Sequence, residues 1–208
     1  MYGRSGTCKI CRTLFSQCRS LWYTIYTYGS QRIEKTWNYD DSDSSYSLDH
    51  FVRHQQVKEC WRNVNGQLKL VPIEFEENWS VEQCQKIAAD VALHMEKDQT
   101  AIGVFYGEEV IGFITVSHNI FGNTAKYVEL VCFQVSEPYR GMEIGKALFY
   151  QACEEARRLG ADKLYISAHS SKESQAAYKA LGCVHAKEIN QKLAEEEPCD
   201  VQLEYVLD

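Results

Sequence analysis

Val131-Cys132-Phe133-Gln134-Val135-Ser136-Glu137-Pro138-Tyr139-Arg140-Gly141-Met142-Glu143-Ile144-Gly145-Lys146-Ala147-Leu148 is the stretch whose reading decides the fold. It begins as an apolar run, breaks at Ser136-Glu137-Pro138, and resumes with helical spacing at Ile144, Ala147, Leu148 and Ala152. That pattern predicts strand, tight loop, helix. Glycine lets such a loop's backbone approach a guest closely, and the first N–H groups of the helix have no internal partner. Together with the positive end of the helix dipole they make an anion site, suited to a phosphate or pyrophosphate.

Downstream, the helix from Ile144 to Leu159 should stop at Gly160, and Lys163 to Ala168 reads as the next strand. Ser170-Ser171-Lys172-Glu173 can cap a helix running through Ala180, and Val184 to Ile189 and Val201 to Val206 read as closing strands. Upstream, Ala101 to Tyr106 and Val110 to Val116 flank Gly107-Glu108-Glu109 as an antiparallel hairpin, and Phe121-Gly122-Asn123 turns the chain into a strand over Lys126 to Val135. Ser80-Val81-Glu82-Gln83 has capping-box spacing and opens a helix with apolar positions Cys84, Ile87, Ala88, Val91 and Met95. Trp61 to Val71 holds Asn65-Gly66 between alternating segments, a hairpin signal. Leu48 to Cys60 is expected to be helical, with Phe51, Val52 and Val57 near one face.

The 208 residues suffice for one substantial core and are too few for two comfortable domains. With 45% hydrophobic and 25% charged residues the composition is that of a globular protein, expected in the cytoplasm. A net charge of -7 argues against a dedicated nucleic-acid binder, and no apolar run is long enough to span a membrane. Nine cysteines, an odd and scattered set, point to free thiols in a reducing compartment. Residues 1–47 read as a separate extension, basic and aromatic, ending in a first strand near Arg32 to Trp37 and an acidic loop at Asp40 to Ser45. Its Cys8-x-x-Cys11 with Cys18 is half a zinc pattern, with no second pair at ligand spacing, so no metal is expected.

Arg140-Gly141-Met142-Glu143-Ile144-Gly145 resembles the acyl-CoA loop of the GCN5-related N-acetyltransferases, Gln/Arg-x-x-Gly-x-Gly/Ala, with Glu143 where that pattern has its middle glycine. Ser171 to Cys183 is similar to a second motif of that family, Asn-x-x-Ala-x-x-x-Tyr-x-x-x-Gly-Phe. Tyr178 and Gly182 match at the correct spacing, while Ser171 and Ser174 replace Asn and Ala. The resemblance runs from about Leu48 to the C-terminus. It implies an α/β fold for residues 48–208: a mixed, mostly antiparallel sheet flanked by helices, with central parallel strands splayed to admit acetyl-CoA as co-substrate. It further implies transfer of an acetyl group to a primary amine of a small molecule or peptide, and leaves a homodimer open. Glu143 in the loop keeps a non-catalytic acyl-CoA-binding module as the alternative.

On that resemblance Phe133, Gln134 and Val135 would offer backbone groups to the pantetheine arm. Arg140, Gly141, Met142, Glu143, Ile144, Gly145 and Lys146 would hold the pyrophosphate, and Ser171 and Ser174 would approach the cofactor. Direct attack on a thioester needs an unprotonated amine, a donor to the oxyanion and a proton for the departing thiolate. Glu129, a carboxylate in an otherwise apolar strand, is the candidate base, because burial raises a carboxyl toward neutral pH. The alternative is a strand-end carboxylate facing solvent or paired with Lys126. Tyr178 is the candidate acid, and His169 is a reserve base. His50, His54 and Trp61 stand where acceptor-gripping loops often lie.

Overall fold

The computed structural model describes residues 26–28, 31–35, 48–95, 97–107 and 109–207. The Cys8-x-x-Cys11 pair with Cys18 and the acidic loop lie outside them, as does most of the basic and aromatic extension. Within residues 26–35, two strands, β1 (Tyr26–Tyr28) and β2 (Gln31–Lys35), are described. A long hairpin follows, β3 (His54–Val64) and β4 (Gln67–Asn78), then α1 (Val81–Met95), β5 (Gln99–Tyr106), β6 (Glu109–Ser117) and β7 (Tyr127–Val135). After a 3-10 turn at Glu137–Tyr139 come α2 (Ile144–Arg158), β8 (Lys163–Ala168), α3 (Lys172–Ala180), β9 (Val184–His185), α4 (Gln191–Glu196) and β10 (Val201–Val206).

Eight strands form one sheet in the order β1-β2-β5-β6-β7-β8-β10-β9, and β3 and β4 form their own two-stranded sheet. Every neighbouring pair is antiparallel except β7 and β8. Those two are parallel because α2 carries the chain back across the sheet between them, which a tight turn cannot do. Seven consecutive residues of β6, Val110–Val116, are almost all hydrophobic and buried, without alternation. The cause is cover on both faces. One face packs against α2 through Ile144, Leu148, Phe149 and Ala152, the other against Cys84, Ala88 and Val91 of α1. Gly112 sets how low α2 can sit: a Cβ there would lie 3.1 Å from Ile144 and 3.2 Å from Leu148.

The capping box forms as expected, with Ser80 N–H donating to Gln83 Oε1 at 2.8 Å and Gln83 N–H to Ser80 Oγ at 3.3 Å. Asn65 and Gly66 both adopt positive φ, 54° and 79°, the geometry a two-residue hairpin turn requires. The helix expected over Leu48 to Cys60 is not formed; a turn at 48–50 leads into β3. The hairpin is irregular between Val57 and Glu59, where the β4 partners step from Phe75 to Pro72. That irregularity accommodates the proline, which cannot donate to a ladder. It also switches the buried face, so Val57 and Cys60 are both buried although three residues apart, a spacing that imitates a helix. The strand expected over Val184 to Ile189 shortens to two residues, and α4 was not foreseen.

Candidate active site

β7 and β8 pair over only three rungs, Tyr127↔Lys163, Val128↔Leu164 and Glu129↔Tyr165, and then part. At the point of parting β7 is bulged against β6: Thr115 faces Cys132 and Val116 faces Leu130, so Val131 is an extra residue. A bulge bends its strand and sharpens the local twist, turning the rest of β7 away. Between the parted strands lies a cleft of about 890 Å³. β3 straps its mouth. Arg140 Nη1 donates to His54 O at 2.7 Å on the β7 side, and Trp61 N–H donates to Ser170 O at 2.8 Å on the β8 side.

One end of the cleft is the turn that opens α2. Gly141 has φ 78° and Glu143, the N-cap residue, has φ 61°. The middle position of the loop therefore takes left-handed backbone, which is why the family pattern has glycine there. The Glu143 carboxylate points to solvent and pairs with Lys146 at 3.3 Å. Gly145 faces β7 from the first turn of α2, where a Cβ would make an ordinary contact with the Phe133 ring at 3.4 Å. Phe133, Gln134, Val135, Arg140, Gly141, Gly145 and Ser174 line the cleft. Met142 and Lys146 are exposed, Ile144 is buried in the core, and Ser171 is fully buried as the N-cap of α3, accepting from Ser174 N–H. Arg140 braces the turn, its Nε donating to Val135 O at 3.1 Å.

Tyr178 stands against the same strand, its ring 6.1 Å from that of Phe133. Burial pushes its hydroxyl far above the usual tyrosine range, so it stays protonated. Glu129, the candidate base, sits on the last shared rung of β7 and β8 and is not among the residues lining the cleft. Burial, and next the Glu196 carboxylate, push its carboxyl up. His169 does line the cleft; its Nδ1 accepts from Ser171 N–H at 3.3 Å and its Nε2 lies 3.7 Å from Glu77. Cys132 lines it too, but burial pushes its thiol up to about 12, which removes a thiolate nucleophile.

Arg53, Gln55 and Asp200 are among the cleft residues that the sequence reading missed. Arg53 is 8% exposed and donates from Nη2 to Glu77 Oε2 at 2.7 Å, while its buried Nε and Nη1 have no partner among the described residues. Gln55, in β3, donates to Ser171 Oγ at 3.0 Å. Asp200, just before β10, lines the cleft, and burial pushes its carboxyl up. His54, singled out from the sequence, bridges Glu137 Oε1 at 3.1 Å and Glu76 Oε1 at 2.6 Å; the bond to Glu137, then that to Glu76, holds its pKa up.

The sequence profile of the acetyltransferase (GNAT) family matches residues 64–183, more than half of the chain. The chain belongs to the GNAT family of acetyltransferases. Among solved structures, a nourseothricin acetyltransferase superposes with a TM-score of 0.62 at 14% identity, covering 86% of this chain and 100% of that one. A protein assigned as a streptothricin acetyltransferase from Bacillus anthracis str. Ames, in complex with acetyl coenzyme A, gives 0.61 at 14% identity with the same coverage. At such identity the likeness is one of fold. None of the curated proteins matches the chain. No described helix is long and apolar enough to cross a membrane.

Proposed function

We propose that this GNAT acetyltransferase moves an acetyl group from acetyl-CoA to a primary amine by direct attack on the thioester. The observation that carries the reading is the parting of β7 from β8 beside the α2 N-terminus, with Tyr178 lining the cleft so formed. The residues present fit the co-substrate. The N–H groups of the first α2 turn, beside Gly141 and Gly145 in the cleft wall, suit a pyrophosphate. The edge of β7 that β8 leaves unpaired over Leu130 to Val135 suits an extended amide chain, as in strand addition. The B. anthracis protein of like fold binds acetyl coenzyme A.

In the transfer, the amine nitrogen forms a bond to the thioester carbonyl carbon and the carbon–sulfur bond breaks. Tyr178 gives its proton to the departing thiolate. The amine's proton passes to a carboxylate. Asp200 lines the cleft and Glu129 does not, so Asp200 accepts directly and Glu129 only through water. The acceptor is a small molecule or peptide bearing the amine.

Mass detection of product after incubation with acetyl-CoA and a panel of amines, peptides and aminoglycosides tests the reading. Tyr178→Phe should lower kcat about a hundredfold with the acceptor KM little changed. An acetyl-CoA-binding protein that acetylates no panel member would be the binding module instead.

A further inference from the structure

A second cavity, of about 480 Å³, lies between the β3–β4 hairpin and the strand β10. Asp200 lines both it and the main cleft, so the two adjoin at that residue. Trp61 and Leu68 from the hairpin, and Ile189 and Pro198 from either side of α4, give it apolar walls. Its polar residues include Arg62, Asn63, His185, Asp200 and Gln202. Gln202 Nε2 donates to Ser167 Oγ at 2.9 Å, and Ser167 opens on the cleft. Gln202 Oε1 is buried with no partner among the described residues. A buried carbonyl oxygen without a donor is costly, and a donor that reaches it would recover that cost. Arg62, a cation in the same wall, is already turned to Trp61 O and to the Ser170 hydroxyl.

We propose that this cavity is the acceptor site and takes a primary ammonium carried on an apolar body. The ammonium sits at Asp200 and donates a second hydrogen to Gln202 Oε1, while the body packs against Trp61, Leu68 and Ile189. The nitrogen is then presented to the main cleft at the wall where Ser167 stands. Glu77 is paired with Arg53 at 2.7 Å, and Arg62 is held by Trp61 O and the Ser170 hydroxyl, so Asp200 is the carboxylate in the cavity wall that meets the ammonium. The inference rests on the acetyl-transfer reading for its purpose, but the binding it describes can be measured without turnover.

The test is calorimetric titration of phenethylamine into the full chain saturated with CoA, with 2-phenylethanol as the uncharged control. Leu68 is 42% exposed, so Leu68→Trp fills the cavity without disturbing the core; unchanged CoA affinity confirms an intact fold. Phenethylamine should bind wild type more tightly than the alcohol, and its Kd should rise about tenfold or more in both Leu68→Trp and Asp200→Asn. Equal affinity of Leu68→Trp and wild type overturns the assignment, as does no binding by wild type below about 10 mM. The two readings fail separately. Acetylated product with an unchanged amine KM in Leu68→Trp removes the cavity and leaves transfer standing, whereas the expected binding with no acetylated amine does the reverse.

Discussion

Glu143 shows how one residue can be read two ways. From sequence it is a carboxylate where an anion should bind; in the structure it is also a side chain in left-handed backbone at the first turn of α2. That backbone costs a non-glycine residue roughly 1–2 kcal/mol. A negative charge at a helix N-terminus returns about 0.3–1 kcal/mol, and glycine in the unfolded chain forfeits a further ~0.4–1 kcal/mol. The net effect of Glu143→Gly on stability is therefore small. Its effect on anion binding is not, because removing the carboxylate and freeing the backbone act in the same direction. Calorimetry should show the Kd for CoA falling about three- to tenfold in Glu143→Gly with Tm nearly unchanged. Glu143→Ala separates the causes: it removes the charge and keeps the strain, and an equal gain would assign the effect to charge alone.

The helix α2 is placed by what β6 lacks. A methyl group at Gly112 would press on Ile144 and Leu148, both buried and both in the first half of α2. Overpacking of that kind costs about 1–3 kcal/mol, and it lifts the end of the helix that faces the cleft. Gly112→Ala should lower the urea midpoint correspondingly and weaken CoA binding more than it slows transfer at saturating CoA; a variant as stable as wild type would show that α2 has slack. Elements from β5 to α3 were legible because their turns carry glycines at positive φ, at 107, 122, 160 and 182, between runs with one clear period. β3 was not, because its irregular pairing opposite Pro72 breaks the period of two and mimics a helical face. That misreading hid Arg53 and Gln55. The loop and Tyr178 were readable as local motifs, whereas Asp200 reaches the cleft only through the pairing of β10 with β8, Val201 facing Ala168. No local pattern announces such a residue.

Across the molecule, the acid response has an identifiable source. The turn before β7 is tied to the segment between β9 and α4 by Glu188. Its carboxylate accepts from Asn123 N–H and Nδ2 at 2.6 and 2.8 Å, and from Thr124 N–H and Oγ1 at 2.9 and 2.6 Å. The bonds from Thr124, then those from Asn123, draw its carboxyl from the ordinary 4.5 down to about 2. A carboxylate depressed on folding contributes stability above its unfolded value, and loses it as pH falls toward the folded one. Asp200 and Glu129 have the opposite sign: raised by burial, they favour the folded state only while protonated, so they do not cause acid loss. Wild type should therefore melt above Glu188→Gln near neutral pH, and the gap in Tm should close between about pH 4.5 and 2, with Asn123 and Thr124 released together. A gap that stays constant through that window would mean the glutamine amide lacks only geometry, and that the ionised carboxylate is not what ties the two segments.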